Sequence, residues 1–289
     1  MEKQPRDYST ISPSAKALLL MKGLTDIPFA CEAAQLMLAP EPYVPDYDKK
    51  EPWYWGRVVH FENRYHSIDQ LLQGIPHQNI LELSSGFSFR GLAAVQQQPI
   101  HYIDTDLPDL IVTKQRFLHD LLQHLPPAKG QLDTLPLNAL DEQQFMAVIS
   151  RFADGPLAIV NEGLLMYLDQ QEKSLLCSLI RKTLEARGGY WITADVYIKR
   201  NYESDQASGT EDQLTSFFAQ HRINDNMFDN FDAAAAFFHE EGFEIDKEAR
   251  TDYSRLTTFN HLMKNTDPAM LEKMRQRGKT QATWRLRLR

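Results

Sequence analysis

Apolar positions along the chain follow two patterns that alternate. Short apolar runs bounded by polar or small residues are typical of buried strands, and they occur at 80–83, 100–103, 157–160, 190–198 and 243–247. Between most of them, apolar residues recur every three or four positions, which predicts helices. A weaker strand at 131–135 and a final one at 284–288, where apolar residues alternate with arginines, bring the predicted strands to seven. The pattern is that of an α/β protein with helices packed on one sheet.

Residues 80–106 have the form of half a nucleotide-binding unit. After the first strand, the small residues 84–86 allow a tight turn that leaves backbone N–H groups for a ligand. The second strand ends at Asp104 and Asp106. Asp106 follows Gly86 by twenty residues, the usual separation between such a turn and a ribose-binding acid.

Two cofactors fit this arrangement unequally. A dinucleotide requires G-x-G-x-x-G, and the first and last of those positions hold Ser84 and Phe89, so a pyrophosphate would meet side chains. S-adenosylmethionine (SAM) carries no phosphate and needs one close backbone approach and one acid for its ribose. We therefore expect SAM, with S-adenosylhomocysteine (SAH) as its product, rather than NAD. The alternative is a sheet with a serine-rich turn and a solvated Asp-x-Asp pair.

A second set of polar residues follows the fourth and fifth strands. Asn161, Glu162 and Gly163 come directly after the fourth strand. The carboxyl ends of strands in an open α/β sheet border the crevice where ligands bind. Residues 195–200 end the fifth strand at the same crevice. Glu162 is therefore a predicted ligand residue, and its alternative role is to cap the next turn of the chain.

An amphipathic helix that begins near Trp55 carries two arginines. Its apolar residues recur at spacings of three and four, so one face belongs to the core. Arg57 and Arg64 lie two turns apart on a common face. Two interpretations remain open: both are solvated, or they form a clamp for one carboxylate of the cofactor and one of the substrate.

Composition and charge argue against nucleic-acid and membrane partners. The 289 residues include 43% apolar residues and carry a net charge of −8, as expected for one soluble globular domain. The 31 lysines and arginines are dispersed, so no nucleic-acid partner is expected. Apolar runs are too short for a membrane span and no signal peptide is recognisable, so we expect a cytoplasmic protein without a membrane partner. Cys31 and Cys177 lie in apolar helical segments, and no metal site is predicted.

We expect a single domain over residues 1–289. Residues 1–78 form a helical cap and lead-in, and residues 79–289 form the α/β core. The polar segment at about 201–230, in which one helix is expected at 211–220, would fall over the crevice as a lid. The arginines of the last strand are expected at a solvated sheet edge, where they would discourage pairing with another chain.

Four segments, taken in order, resemble the leucine carboxyl methyltransferase family. They are YWGRV at 54–58, ELSSGFSFRG at 82–91, YIDTDLP at 102–108 and IVNEGLLMYL at 159–168. The resemblance covers about residues 15–200, and the rest matches in architecture only. It implies a SAM-dependent methyltransferase with the class I, Rossmann-like fold, whose strand order is 3-2-1-4-5-7-6 with the last strand antiparallel. The family includes phosphatase methyltransferases and bacterial enzymes linked to polyketide O-methylation.

The resemblance also implies roles for residues at the matched positions. Arg57 falls on the arginine that binds the methionine carboxylate, Lys16 on a basic residue that closes over the cofactor, and Asp106 on the ribose acid. Ser84 stands where the family usually has glycine, so its effect on cofactor affinity is open. The implied cofactor-binding residues are Lys16, Arg57, Glu82, Ser84, Ser85, Gly86, Asp104, Asp106, Asn138, Ala139 and Glu162.

The expected reaction is methyl-ester formation on a carboxylate of a small molecule. A carboxylate is ionised at neutral pH and the methyl group of SAM is already activated, so positioning suffices. A phenol or alcohol acceptor would need a base, for which Glu162, Tyr197 and His221 are candidates. Candidate substrate residues are Arg64, Tyr167, Tyr197, Arg200 and His221. A protein C-terminal carboxylate as acceptor, a non-catalytic cofactor-binding module and the oligomeric state remain open.

Overall fold

The computed structural model describes residues 12–76, 78–199 and 223–289. Its strands are β1 (Asn79–Leu83), β2 (His101–Asp106), β3 (Gln131–Pro136), β4 (Leu157–Asn161), β5 (Gly189–Tyr197), β6 (Phe243–Glu248) and β7 (Gln281–Leu288). They form one sheet in the order β3-β2-β1-β4-β5-β7-β6. β1 to β5 are parallel, and β7 is antiparallel to both β5 and β6. The class I methyltransferase fold and its strand order are therefore confirmed.

Helices cover the sheet and precede it. Those in the described residues are α1 (Ser12–Lys22), α2 (Ala30–Leu38), α3 (Pro52–Leu72), α4 (Arg90–Gln97), α5 (Pro108–Leu122), α6 (Glu142–Ile149), α7 (Gln170–Arg187), α8 (Phe231–Glu240), α9 (Phe259–Asn265) and α10 (Pro268–Arg277). The apolar pattern gave no prediction for α9 and α10. None of the helices described is both long enough and apolar enough to cross a membrane.

Local sequence explains where several helices begin. Pro108 lies in the first turn of α5, where its missing N–H leaves no helical hydrogen bond unmade. Asp169 and Glu172 have the spacing of a capping box, and the box forms at α7: the Asp169 side chain accepts from the N–H of Glu172, and the Glu172 side chain accepts from the N–H of Asp169. Asp141 and Gln144 have the same spacing, but only half of a box forms at α6, where Asp141 accepts from the N–H of Gln144.

Both faces of the sheet are buried. On one face, helices α6, α7 and α8 pack over a cluster that includes Trp191, Phe238 and Trp284. On the other face, Ile68 of α3 and Val95 of α4 belong to a second cluster. Parallel strands buried on both sides have continuous apolar sequences, which is why the sequence pattern located them.

The prediction that the β7 arginines lie at a solvated edge is wrong. β7 lies between β5 and β6, and β6 is the edge strand. Arg285 Nε is 2.5 Å from Asp246 Oδ2, and Arg287 Nε is 2.6 Å from Glu244 Oε1. Alternation within β7 indicates a polar face, but it does not show that the neighbouring strand supplies acids to that face.

The end of the predicted lid returns to the sheet. Residues 200–222, which include a helix predicted at 211–220, lie outside the described residues. Beyond them, the N–H of Phe228 donates to the carbonyl of Tyr197 at 2.9 Å, and the N–H of Lys199 donates to the carbonyl of Phe228 at 2.7 Å. The segment after residue 222 is thus fastened at the carboxyl end of β5.

A buried carboxylate joins α3 to the segment between β6 and β7. Oε1 of Glu62 accepts from the N–H and the hydroxyl of Thr257 at 2.7 and 2.5 Å, and Oε2 accepts from those of Thr258 at 3.1 and 2.5 Å. Asp26 and His66 bring possible metal-ligand atoms within 4.8 Å of one another and of Glu62. Because four hydrogen bonds already occupy the Glu62 oxygens, we assign Glu62 a structural role.

Glu62→Gln should lower the free energy of unfolding by about 1–3 kcal/mol, because the new amide nitrogen cannot accept the hydrogen bonds that the replaced carboxylate oxygen accepted. Urea denaturation measures the change. Glu185→Gln is the matched control, since this side chain is 61% exposed on α7, and it should change stability by less than about 0.5 kcal/mol. Equal stability of the two variants would contradict the role given to Glu62.

Candidate functional site

The turn after β1 and the acid after β2 meet at the carboxyl edge of the sheet. The N–H of Gly86 donates to Asp106 Oδ2 at 2.8 Å, and the N–H of Leu107 donates to Asp106 Oδ1 at 2.7 Å. Burial raises the pKa of Asp106, although these two hydrogen bonds oppose the rise. An ionised carboxylate has about four acceptor positions, so Asp106 retains the capacity to accept two further hydrogen bonds, as from a pair of neighbouring hydroxyls.

The backbone of the turn is left-handed at two positions. Ser84 has φ 50° and Gly86 has φ 52°. Glycine takes this conformation freely, whereas another residue loses roughly 1–2 kcal/mol in it. A Cβ on Gly86 would have no heavy atom within 4 Å. The turn therefore exposes its backbone to open space at Gly86, where a ligand can approach closely.

Three other predicted cofactor residues, Glu82, Ser85 and Asp104, make buried polar contacts. Lys114 Nζ lies 2.8 Å from Asp104 Oδ2 and donates to Ser85 Oγ at 2.8 Å. Oε2 of Glu82 accepts from the hydroxyl of Tyr102 at 2.6 Å. Both carboxylates are fully buried. Of the two acids at the end of β2, Asp106 is thus the one that reaches the turn, while Asp104 is held by Lys114.

Glu162 lies among three cations that come from three helices. Its Oε1 is 2.7 Å from Lys22 Nζ of α1 and 3.4 Å from Arg64 Nη2 of α3, and its Oε2 is 3.3 Å from Arg90 Nη2 of α4. Burial opposes ionisation of this carboxyl, but the three cations outweigh burial and lower its pKa to about 2. Burial also lowers the pKa of Lys22, although Glu162 opposes that shift. The carboxylate is therefore ionised in the buried site.

Asp195 of β5 fixes the loop that carries Glu162. Its two oxygens accept from the N–H of Gly163 and from the N–H of Leu164, both at 2.6 Å, and from the Asn161 amide at 2.7 Å. Gly163 has φ 84°, and a Cβ there would lie 3.2 Å from Arg64 Nη2. Glycine at this position therefore allows both the bend and the close approach of the guanidinium.

Arg64 is buried with spare donor capacity. Only 2% of its side chain is exposed, and its Nη1 donates to the hydroxyl of Tyr197 at 2.9 Å. Its Nε and Nη2 have no hydrogen-bond acceptor among the described residues, and the ion contacts of Nη2 with Glu162 and Asp195 are long, at 3.4 and 3.8 Å. A guanidinium with two such N–H groups suits a carboxylate.

His60 is a residue of this region that the sequence analysis missed. Its Nε2 lies 2.7 Å from the hydroxyl of Tyr197. The available signal was its position on α3 one turn before Arg64, which places both side chains on one face of the helix. Burial raises the pKa of Tyr197 to about 12, although Arg64 opposes the rise.

The basic residues that contact Glu162 are not the two that the family resemblance implied. Lys16 is exposed on α1, and Lys22 of the same helix contacts Glu162. The Arg57 guanidinium lies over the ring of Trp53, 5.2 Å from its centroid, and Arg64 of the same helix is the arginine at Glu162.

The other predicted positions lie at the rim or outside the described residues. Asn138 is exposed after β3, where its side-chain oxygen accepts from the N–H of Leu140 at 3.1 Å. Ala139 beside it is buried. The hydroxyl of Tyr167 lies 3.3 Å from Ser14 Oγ of α1. Arg200 and His221 fall in the part of the chain that is not described.

Comparison with solved structures shows the same fold at low sequence identity. A DUF574 family protein from Streptomyces avermitilis MA-4680 matches with a TM-score of 0.53 and 14% identity over 94% of this chain and 97% of that chain. Mycolic acid cyclopropane synthase CmaA1, solved in complex with SAH and CTAB, matches with a TM-score of 0.50 and 12% identity over 77% of this chain and 83% of that chain. No protein-family model and no curated protein sequence matches the chain.

The low pKa of Glu162 predicts a pH-dependent contribution to stability. The folded-state pKa of about 2 lies below the unfolded-state pKa, which is about 4.3 for glutamate. The contribution is therefore complete above about pH 4.3 and is lost as the pH falls toward the folded value, by roughly 3 kcal/mol in all. Urea titrations of wild type and Glu162→Gln between pH 3 and 7 should show a stability gap that narrows below about pH 4.3. A gap independent of pH would contradict this prediction.

Proposed function

We propose that the protein is a SAM-dependent O-methyltransferase that forms a methyl ester on a carboxylate of a small molecule. The observation that carries the proposal is the meeting of an open left-handed turn at Gly86, the acid Asp106 and the buried cation Arg64 at the carboxyl edge of the sheet. The class I fold supports it, as does the presence of SAH in the CmaA1 structure.

The residues present fit the groups of SAM. Gly86 leaves the backbone accessible, and Asp106 can accept hydrogen bonds from the two ribose hydroxyls. Asn138 and Ala139, at the end of β3, are the adenine-side residues. Glu162, ionised and buried, would bind the ammonium group of the methionine moiety.

We assign the methionine carboxylate of SAM to Arg64 and Lys22. The sequence resemblance pointed to Arg57 and Lys16, which lie on the same two helices. Arg64 is preferred because its Nε and Nη2 lack hydrogen-bond acceptors among the described residues while its side chain is buried beside Glu162. Lys22 is preferred because its Nζ lies in the same cluster, 2.7 Å from Glu162.

The residues of the chain contribute binding, orientation and exclusion of water. When bound, SAM supplies a methyl group on a positively charged sulfur, which keeps the electron pair of the broken S–C bond. Met166, Tyr197 and Ile223 form a buried apolar cluster at the ends of β4 and β5, which suits the apolar body of a small acid. The carboxylate acceptor is supported by the family resemblance and needs no base, because it is already ionised.

Arg64→Lys should raise the dissociation constants of SAM and SAH by similar factors, roughly tenfold or about 1.4 kcal/mol, because lysine does not reproduce a forked pair with a carboxylate. Arg57→Lys is the matched control on the same helix and should stay within about twofold. Isothermal titration calorimetry on the folded variants measures both, with NAD as the ligand that should not bind. A loss of affinity in Arg57→Lys alone would return the role to Arg57.

Incubation of the wild-type protein with SAM and a panel of aromatic and aliphatic carboxylic acids should yield methyl esters, detected by mass spectrometry. Peptides with a free C-terminal carboxylate form the second arm of the panel. Esters from peptides alone would identify a protein C-terminus as the acceptor. Cofactor binding without any ester would contradict the assignment of a carboxylate acceptor, and absence of cofactor binding would contradict the proposal as a whole.

A further inference from the structure

The acceptor side of the crevice contains a hydrogen-bonded chain that an already ionised carboxylate would not need. His60 and Arg64 project from one face of α3 onto the hydroxyl of Tyr197 at the end of β5, at 2.7 and 2.9 Å. Tyr197 also belongs to the apolar cluster with Met166 and Ile223. The chain therefore lies where we place the acceptor.

The direction of these hydrogen bonds follows from the chemistry of the groups. A guanidinium only donates, so the Tyr197 oxygen accepts from Arg64 Nη1. The phenol retains one hydrogen of its own, and His60 Nε2 at 2.7 Å is positioned to accept it when the imidazole proton is on Nδ1. The arrangement runs from Arg64 through Tyr197 to His60.

Other candidate bases at this place are poor proton acceptors. The three cations around Glu162 outweigh its burial and lower its pKa to about 2. Burial raises the pKa of Tyr197 to about 12, so its hydroxyl stays protonated at neutral pH and can pass a proton on only by losing its own. His60 is half-buried, so part of its side chain reaches the surface.

We propose that His60, acting through Tyr197, accepts the proton of a phenolic acceptor, so that the site also methylates phenols. The inference rests on the proposed methyltransferase function and adds an acceptor class to it. The phenol O–H proton moves to Tyr197 Oη while the Tyr197 proton moves to His60 Nε2, and the electron pair left on the phenol oxygen forms the new O–CH3 bond. His60 ends the step as imidazolium and returns the proton to water. A phenol, with a pKa of about 10, suits an imidazole better than an aliphatic alcohol does.

A hydroxybenzoic acid tests the inference, because one molecule presents both a carboxylate and a phenol. With 4-hydroxybenzoic acid and its 3-hydroxy isomer, wild type should form methyl ester and methyl ether, separated by mass spectrometry and NMR. His60→Gln should lower ether formation by roughly a hundredfold or more, the usual contribution of a general base. Ester formation should stay within about threefold, and the exposed α5 variant His119→Gln should change neither product.

A second measurement does not depend on turnover. Nitrogen-15 NMR of the imidazoles, in the protein without SAM, should show neutral His60 with its proton on Nδ1 and a signal that shifts in Tyr197→Phe. A proton on Nε2 of His60 would overturn the relay, since the imidazole would then donate to Tyr197.

Three product patterns would also overturn the inference. They are ester without ether from both hydroxybenzoic acids, equal loss of ester and ether in His60→Gln, and undiminished ether formation in that variant. Failure of the underlying function looks different. In that case wild type would bind no SAM, or would bind it and form no methylated product from either group.

Discussion

The ionised carboxylate of Glu162 is the group on which the arrangement of the crevice depends. Lys22, Arg64 and Arg90 approach it from α1, α3 and α4, and all three cations are buried. A buried charge without a partner costs several kcal/mol. Removing one member of such a group therefore destabilises the fold more than replacing the whole group with apolar residues. The helical cap and helix α4 are therefore held by the same carboxylate, Glu162, at the end of β4. We propose that the methionine end of the cofactor binds beside this carboxylate.

Helix α3 has crevice residues on one face and a structural residue on another. His60 and Arg64, one turn apart, point to Tyr197 at the crevice. Glu62 lies two residues from each of them, on a different face of the helix, and accepts four hydrogen bonds from Thr257 and Thr258. The contacts of Glu62 hold the helix against the segment between β6 and β7, and this fixes how far His60 and Arg64 reach into the crevice. A single helix thus orients groups on the cofactor side and on the acceptor side together.

The two acids at the end of β2 have different roles because they lie at different positions along the strand. Asp104 and Asp106 are two residues apart and leave the strand on the same side. Asp104 lies far enough inside the sheet to be covered by α5, where Lys114 neutralises it at 2.8 Å. Asp106 lies at the strand end, and its carboxylate meets the turn at Gly86. The inner acid therefore stabilises the scaffold, and the outer one remains accessible to a ligand.

Local patterns in the sequence located the strands, the turn at residues 84–86 and the position of Glu162 after β4, since strands buried on both faces have continuous apolar sequences and ligand residues follow their carboxyl ends. The strand order was an expectation from the family resemblance, which the sheet confirms. The packing of α1 and α3 brought Arg64 rather than Arg57, and Lys22 rather than Lys16, into contact with Glu162. The tertiary structure also placed the acids of β6 beside the arginines of β7 and His60 at Tyr197. Spacing along a helix shows which residues share a face, whereas the packing of that helix against the sheet decides which of them lies at the end of a given strand.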